Sequence, residues 1–158
     1  MSNTQSMCTS FLGQLLTATH NFGTAPTRGT SAADTFKAAL YVTTATVNAA
    51  TTAYSSTNEV TGTGYTAGGI AVTNANAPTS TNSSATAGVG YWTPSANLVY
   101  STVTLTTAFD TVLIYNSSQS NAAVSVHTFG AQTITAGTFT LTMPTNTTTS
   151  ALLRLTTT

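Results

Sequence analysis

The chain has 158 residues, of which 41 % are hydrophobic, and its six charged side chains give a formal net charge of zero. Three basic residues cannot form the stripe that a nucleic-acid binder needs, and no apolar run approaches the roughly 20 residues of a membrane-spanning helix. The composition is too apolar for disorder, and 40 threonines favour strands. We therefore expect one β domain over residues 1–158, with no nucleic-acid or membrane partner.

The first segment, residues 1–30, is predicted to form a short helix followed by an arm. Thr9 or Ser10 is a suitable N-cap, and the apolar residues after it recur at helical spacing. Such a face must be covered either by its own domain or by a neighbouring protein. The candidate partner-contact residues of the helix are Phe11, Leu12, Leu15 and Leu16.

The middle of the chain has two predicted strands and two loops. Thr35–Thr43 alternates in the manner of a strand, and the glycine-rich stretch Thr61–Gly69 leads into a second strand, Ile70–Thr73. Residues 74–90 are rich in Asn, Ser and Thr and predict a long surface loop. Tyr91 and Trp92 follow it. They are either core aromatics at a strand entry or an exposed pair that contacts a partner or a sugar.

The C-terminal half alternates most regularly. Its pattern places Val99, Ser101, Val103 and Leu105 on one strand face, and a polar turn is predicted at Asn116–Asn121. The predicted strands are Leu98–Thr107, Thr111–Tyr115, Ala123–Phe129, Thr138–Met143 and Ala151–Leu155. The whole chain is therefore expected to be mainly β, a single sandwich or jelly-roll-like domain of about eight strands with a short N-terminal helix.

The sequence contains no pattern that predicts catalysis. The glycines between Gly62 and Gly69 lack the spacing and the lysine of a phosphate-binding loop, so we interpret them as turn residues. Metal sites combine several ligands, whereas His20 and His127 are the only histidines, and we interpret both as structural. Cys8 is the single cysteine and is expected to be a buried thiol. We expect no catalytic residue, no metal and no cofactor.

Several segments resemble, in this order along the chain, a family of small structural proteins of tailed bacteriophages. The similarity runs from Cys8 to about Leu155, and the stretch Glu59–Gly69 is its most specific part. The segments are Cys8–Phe11, Asp34–Tyr41, Thr52–Tyr54, Glu59–Gly69, Val112–Ser117 and Ala136–Thr140. The resemblance implies a virion protein assembled in the bacterial cytoplasm. It implies neither a place in the particle nor any catalytic residue.

Composition suggests a role for such a protein. An ordinary soluble surface is roughly 25–35 % charged, whereas here 4 % of the whole chain is charged. A small, nearly uncharged β domain suits a capsid cement or decoration protein that binds the major capsid protein and itself, as a trimer if it occupies three-fold positions. A tail, connector or fibre component is the alternative, and a carbohydrate-binding module that uses Tyr91 and Trp92 is a further one.

Overall fold

The structure, a computed structural model, describes residues 3–16, 18–22, 33–73, 76–81 and 88–156. Within these ranges the chain forms one helix, α1 (Thr9–Leu16), and eight strands. The strands are β1 (Ser6–Met7), β2 (Phe36–Val42), β3 (Ile70–Val72), β4 (Thr79–Ser80), β5 (Val89–Trp92), β6 (Leu98–Asn116), β7 (Ala122–Leu141) and β8 (Leu153–Thr156).

The strands form two antiparallel sheets. The larger has the order β1-β7-β6-β2-β3, and the smaller has the order β4-β5-β8. The segment Thr111–Asn116 is buried on both faces of the larger sheet, as its continuous apolar run predicted. The prediction of a mainly β, sandwich-like fold with a short N-terminal helix is therefore confirmed. The jelly-roll topology stays a prediction.

The hairpin of β6 and β7 is longer than the sequence predicted. The two strands predicted before and after residues 108–110 belong to one continuous strand of 19 residues, β6. The two predicted before and after residues 130–137 belong to one continuous strand of 20 residues, β7. The turn between them lies where it was predicted, at 117–121. The ring centroids of Phe129 and Phe139 are only 5.1 Å apart, whereas ten residues of a straight strand span about 33 Å. This short distance shows that the hairpin is bent. The ring of Phe109 meets that of Phe139 edge-on at 5.1 Å, so the bend encloses an aromatic core.

Register shifts at the bend change which side chains face the core. The first lies between Tyr100 and Val103, where Thr102 has a φ of 54°, typical of a bulge. The shift leaves Val99 44 % exposed and Val103 1 % exposed. The prediction that Val99 and Val103 share one face was therefore wrong, because alternation fixes a face only as far as the next bulge.

The predicted surface loop at 74–90 contains regular structure. β4 and the first residues of β5 lie inside this range and pair with each other, while residues 74–75 and 82–87 lie outside the described part of the chain. β1, which the sequence did not predict, pairs with β7 through Ser6 and Val126. The small sheet thus arises from short strands whose polar sequence resembles that of a loop.

Two carboxylates join the N-terminal segments to the larger sheet. Asp110 accepts a hydrogen bond from the side-chain amide of Asn3 at 2.8 Å. Asp34 accepts bonds from the backbone N–H of Asn21 at 2.8 Å and from the side chain of Asn116 at 2.7 Å. Hydrogen bonds to charged groups are stronger than neutral ones, so these two charges hold segments that are distant in sequence.

Candidate interaction site

An apolar pocket of about 150 Å³ lies between α1 and the smaller sheet. One wall comes from Phe11 and Leu15 of the helix, and the opposite wall comes from Tyr91 of β5 and from Leu153 and Leu155 of β8. The helix must cover its apolar face, either on its own domain or on a neighbouring protein. Phe11 is covered by its own domain, since it is buried in the core.

An aromatic layer forms the base of this pocket. The rings of Phe22 and Phe36 stack at 4.4 Å, and Trp92 lies against Phe22 at 4.7 Å. The indole N–H of Trp92 donates to the carbonyl of Asn76 at 2.9 Å, which satisfies its polar atom. The layer is therefore a closed part of the core, and the pocket opens above it.

The predicted partner-contact residues have different positions. Phe11 and Trp92 are buried, with exposed fractions of 2 % and 3 %, while Leu15 and Tyr91 are half-buried. Four of the six predicted residues thus line one pocket. The side chains of the other two, Leu12 and Leu16, lie outside the described residues. Because Trp92 is covered, it does not present a face on which a sugar could stack.

A buried histidine anchors the segment that follows α1. His20 Nδ1 lies 3.0 Å from the side-chain nitrogen of Asn116, which donates to it, so Nε2 carries the proton and donates to Oε1 of Gln14 at 2.8 Å. Desolvation lowers the pKa of His20, and the charge of Asp34 opposes this shift. The imidazole is therefore neutral and holds the helix to the end of β6.

A second cluster, which the sequence did not predict, surrounds Glu59. This carboxylate is 7 % exposed and accepts hydrogen bonds from the hydroxyls of Tyr54 and Tyr65 at 2.7 and 2.6 Å and from the N–H of Gly68 at 2.8 Å. The hydroxyl of Tyr115 donates to the Gly68 carbonyl at 2.8 Å. One charge thus fixes the glycine-rich stretch against the larger sheet.

The phenols of this cluster remain protonated. Burial is the main cause that raises the pKa values of Tyr54, Tyr65 and Tyr115, and the charge of Glu59 raises each further. The signal that could have predicted the cluster is the single glutamate of the chain placed between Tyr54 and Tyr65. All of these hydroxyl and N–H groups donate to acceptors within the cluster. The cluster therefore serves as a structural link between the glycine-rich stretch and the larger sheet.

His127 is hydrogen-bonded within its own strand, and Cys8 is buried. His127 Nε2 lies 2.9 Å from Oγ of Ser125 on the same strand, and burial lowers the pKa of His127 to about 4. Burial raises the pKa of Cys8 to about 11, so its thiol is protonated at neutral pH. The described part of the chain has no cluster of His, Cys, Asp or Glu able to hold a metal ion.

Comparisons with known proteins add no relative. No protein-family model, no curated protein and no solved structure matches this chain. Among the residues that the structure describes, no helix has the length and apolar character needed to cross a membrane.

Proposed function

We propose that this protein is a structural component of a bacteriophage virion, and that it acts as a cement or decoration protein on the outer surface of the head. The proposal combines the sequence resemblance with the physical character of the surface. A cement protein must lie against neighbouring subunits over a large area, and desolvating charged groups at such contacts is costly.

The observation that carries the proposal is where the few charges lie. The three carboxylates accept hydrogen bonds from within the chain, as described above. Of the basic residues, Lys37 is half-buried and Arg154 is exposed, while Arg28 lies outside the described residues. Apart from Arg154 and the half-buried charged residues, the described surface is made of hydroxyl, amide and apolar groups, which can be buried between subunits at little electrostatic cost.

The apolar pocket supplies a contact for the major capsid protein or another virion protein. Its base is buried, but Leu15 and Tyr91 at its rim are half-buried, and Leu155 is 45 % exposed. Interface cores are typically apolar with aromatic residues at the centre. An apolar side chain of the partner would fill the pocket and cover this rim. A homotrimer at three-fold capsid positions would present three such pockets.

An add-back experiment tests this function. Purified capsids from a phage that lacks the gene are incubated with recombinant protein and sedimented. We expect the wild-type protein to co-sediment, and Leu155→Asp to lose most of its binding because a carboxylate at the rim resists desolvation. Thr57→Asp, at an exposed turn, is the control and should bind like the wild type. Failure of the wild-type protein to bind would contradict the head-surface role and favour the tail, connector or fibre alternative.

A further inference from the structure

The far end of β7 has an unpaired edge. Near its start this strand has outer neighbours, since β1 pairs with Ser125 and Val126 and the N–H of Ala123 donates to Thr52. From Thr128 to Leu141, β7 pairs only with β6 among the described residues. Among the described residues, its outer edge therefore has no strand partner along this stretch.

This edge lacks the usual protection against pairing. Natural edges are blocked by Lys, by Pro or by bulges, and residues 128–141 contain neither proline nor any charged residue. The bulges lie in the bend, and the register beyond it is regular where Tyr100, Val99 and Leu98 pair with Phe139, Thr140 and Leu141. The last three residues, Phe139–Leu141, thus form a short strand edge in regular register, and Thr138 precedes them opposite the first register shift.

We propose that this edge pairs with the same edge of a second copy, antiparallel about a two-fold axis at Phe139. Residue numbers that face each other then sum to 278, so Thr138 faces Thr140 of the second copy and Gly137 faces its Leu141. Cross-strand threonine pairs stabilise antiparallel strands, and two such pairs form in this register. The segment is therefore complementary to itself in this register.

The exposed side chains at this edge also fit a second copy. Thr138 and Thr140 are exposed, and Val99, opposite Thr140 on the same face, is one of two large hydrophobic residues exposed in the described structure. Pairing would continue the β6–β7 hairpin into a four-stranded sheet with both copies of Val99 on one face. The absence of charge removes repulsion between copies.

The inference deepens the homo-oligomer part of the proposed function, yet it is tested on recombinant protein alone. Absence of the protein from virions would contradict the virion role and leave this contact standing. A recombinant protein without the contact would contradict this inference and leave the virion role standing. A two-fold contact by itself yields a dimer, and a trimer would use a different surface.

Two charge variants test the register. In Thr138→Lys/Thr140→Lys, each lysine would face a lysine of the second copy. In Thr138→Lys/Thr140→Glu, each lysine would face a glutamate. Facing charges change pairing by roughly 0.2–1 kcal/mol per pair. We expect sedimentation equilibrium to give a dimer Kd at least about tenfold higher for the first variant than for the second, with matching thermal unfolding of the two proteins as the folding control.

Disulfide formation gives a second readout. A mixture of Thr138→Cys and Thr140→Cys proteins should form a crosslinked heterodimer, because these positions face each other. Either variant alone should crosslink poorly, since positions two residues out of register are too far apart. Cys8 does not interfere, because it is buried and protonated. A monomeric wild type, a trimer insensitive to the lysine pair, or equal Kd values for the two charge variants would overturn the proposal.

Discussion

The hydroxyl of Tyr65 donates a 2.6 Å hydrogen bond to Glu59 and accepts a 3.0 Å bond from the backbone N–H of Leu40. A single side chain thus connects the buried carboxylate to strand β2. The backbone N–H of Val60 also donates to Leu40, at 3.0 Å. The order of the glycine-rich stretch therefore depends on one negative charge.

Replacing Glu59 by Gln should destabilise the protein by about 1–3 kcal/mol, because the charge-assisted bonds from Tyr54 and Tyr65 become neutral and one amide hydrogen meets a donor. Urea unfolding at pH 7 measures this change. Ser56→Ala, on an exposed neighbouring residue, is the control and should alter the free energy of unfolding by less than about 0.5 kcal/mol. Equal stability of Glu59→Gln and wild type would contradict the role of the charge.

Gly69→Ala should prevent stable folding or cost more than about 3 kcal/mol. Gly69 has a φ of 71°, and a Cβ there would overlap the carbonyl of Ala38. Gly130→Ala is the matched control, since a Cβ at Gly130 meets no atom within 4 Å, and it should change stability by less than about 0.5 kcal/mol. Thermal unfolding of both proteins checks the contrast, and similar melting temperatures would disagree with the backbone described for Gly69.

Val103→Ala and Val99→Ala test the face change at the first bulge. Val103 is 1 % exposed and Val99 is 44 % exposed, so the first substitution should cost about 2 kcal/mol through a core cavity and the second less than about 0.5 kcal/mol. The comparison is matched because the same atoms are removed. Denaturation of the monomer at low protein concentration measures both values. Equal costs would mean that both valines share one face.

Acid should weaken the fold partly through His127. Burial lowers the pKa of His127 to about 4, whereas in the unfolded chain it is close to 6.5. The unfolded state binds more protons between these values, so stability falls as the pH drops from about 6.5 to 4. We expect His127→Gln to lose about 1–3 kcal/mol less than the wild type between pH 7 and pH 4.5. An identical loss in both proteins would contradict the lowered pKa of His127 in the fold.

Local pattern predicted the strands but not their long-range arrangement. Alternation and turn residues gave most of the strand positions, because both depend on neighbouring residues. The bend of the hairpin was missed because its bulge at Thr102 has a positive φ without a glycine to mark it. The short strand β4 was missed because two polar residues carry no periodicity.

The candidate sites show the same limit. The apolar spacing of Phe11 and Leu15 predicted that these side chains must be covered, but the sequence did not show that they would line a pocket together with residues of β5 and β8. The cluster at Glu59 depends on partners from separate loop and strand positions and on a backbone N–H. No spacing rule links such groups, so only the fold brings them together.

The copy number of the protein in purified virions tests the cement proposal most directly. Quantitative densitometry against the major capsid protein measures it in particles freed of unassembled protein. We expect hundreds of copies per particle, as the head lattice requires. A copy number near six or twelve, or absence from the particle, would contradict the cement role.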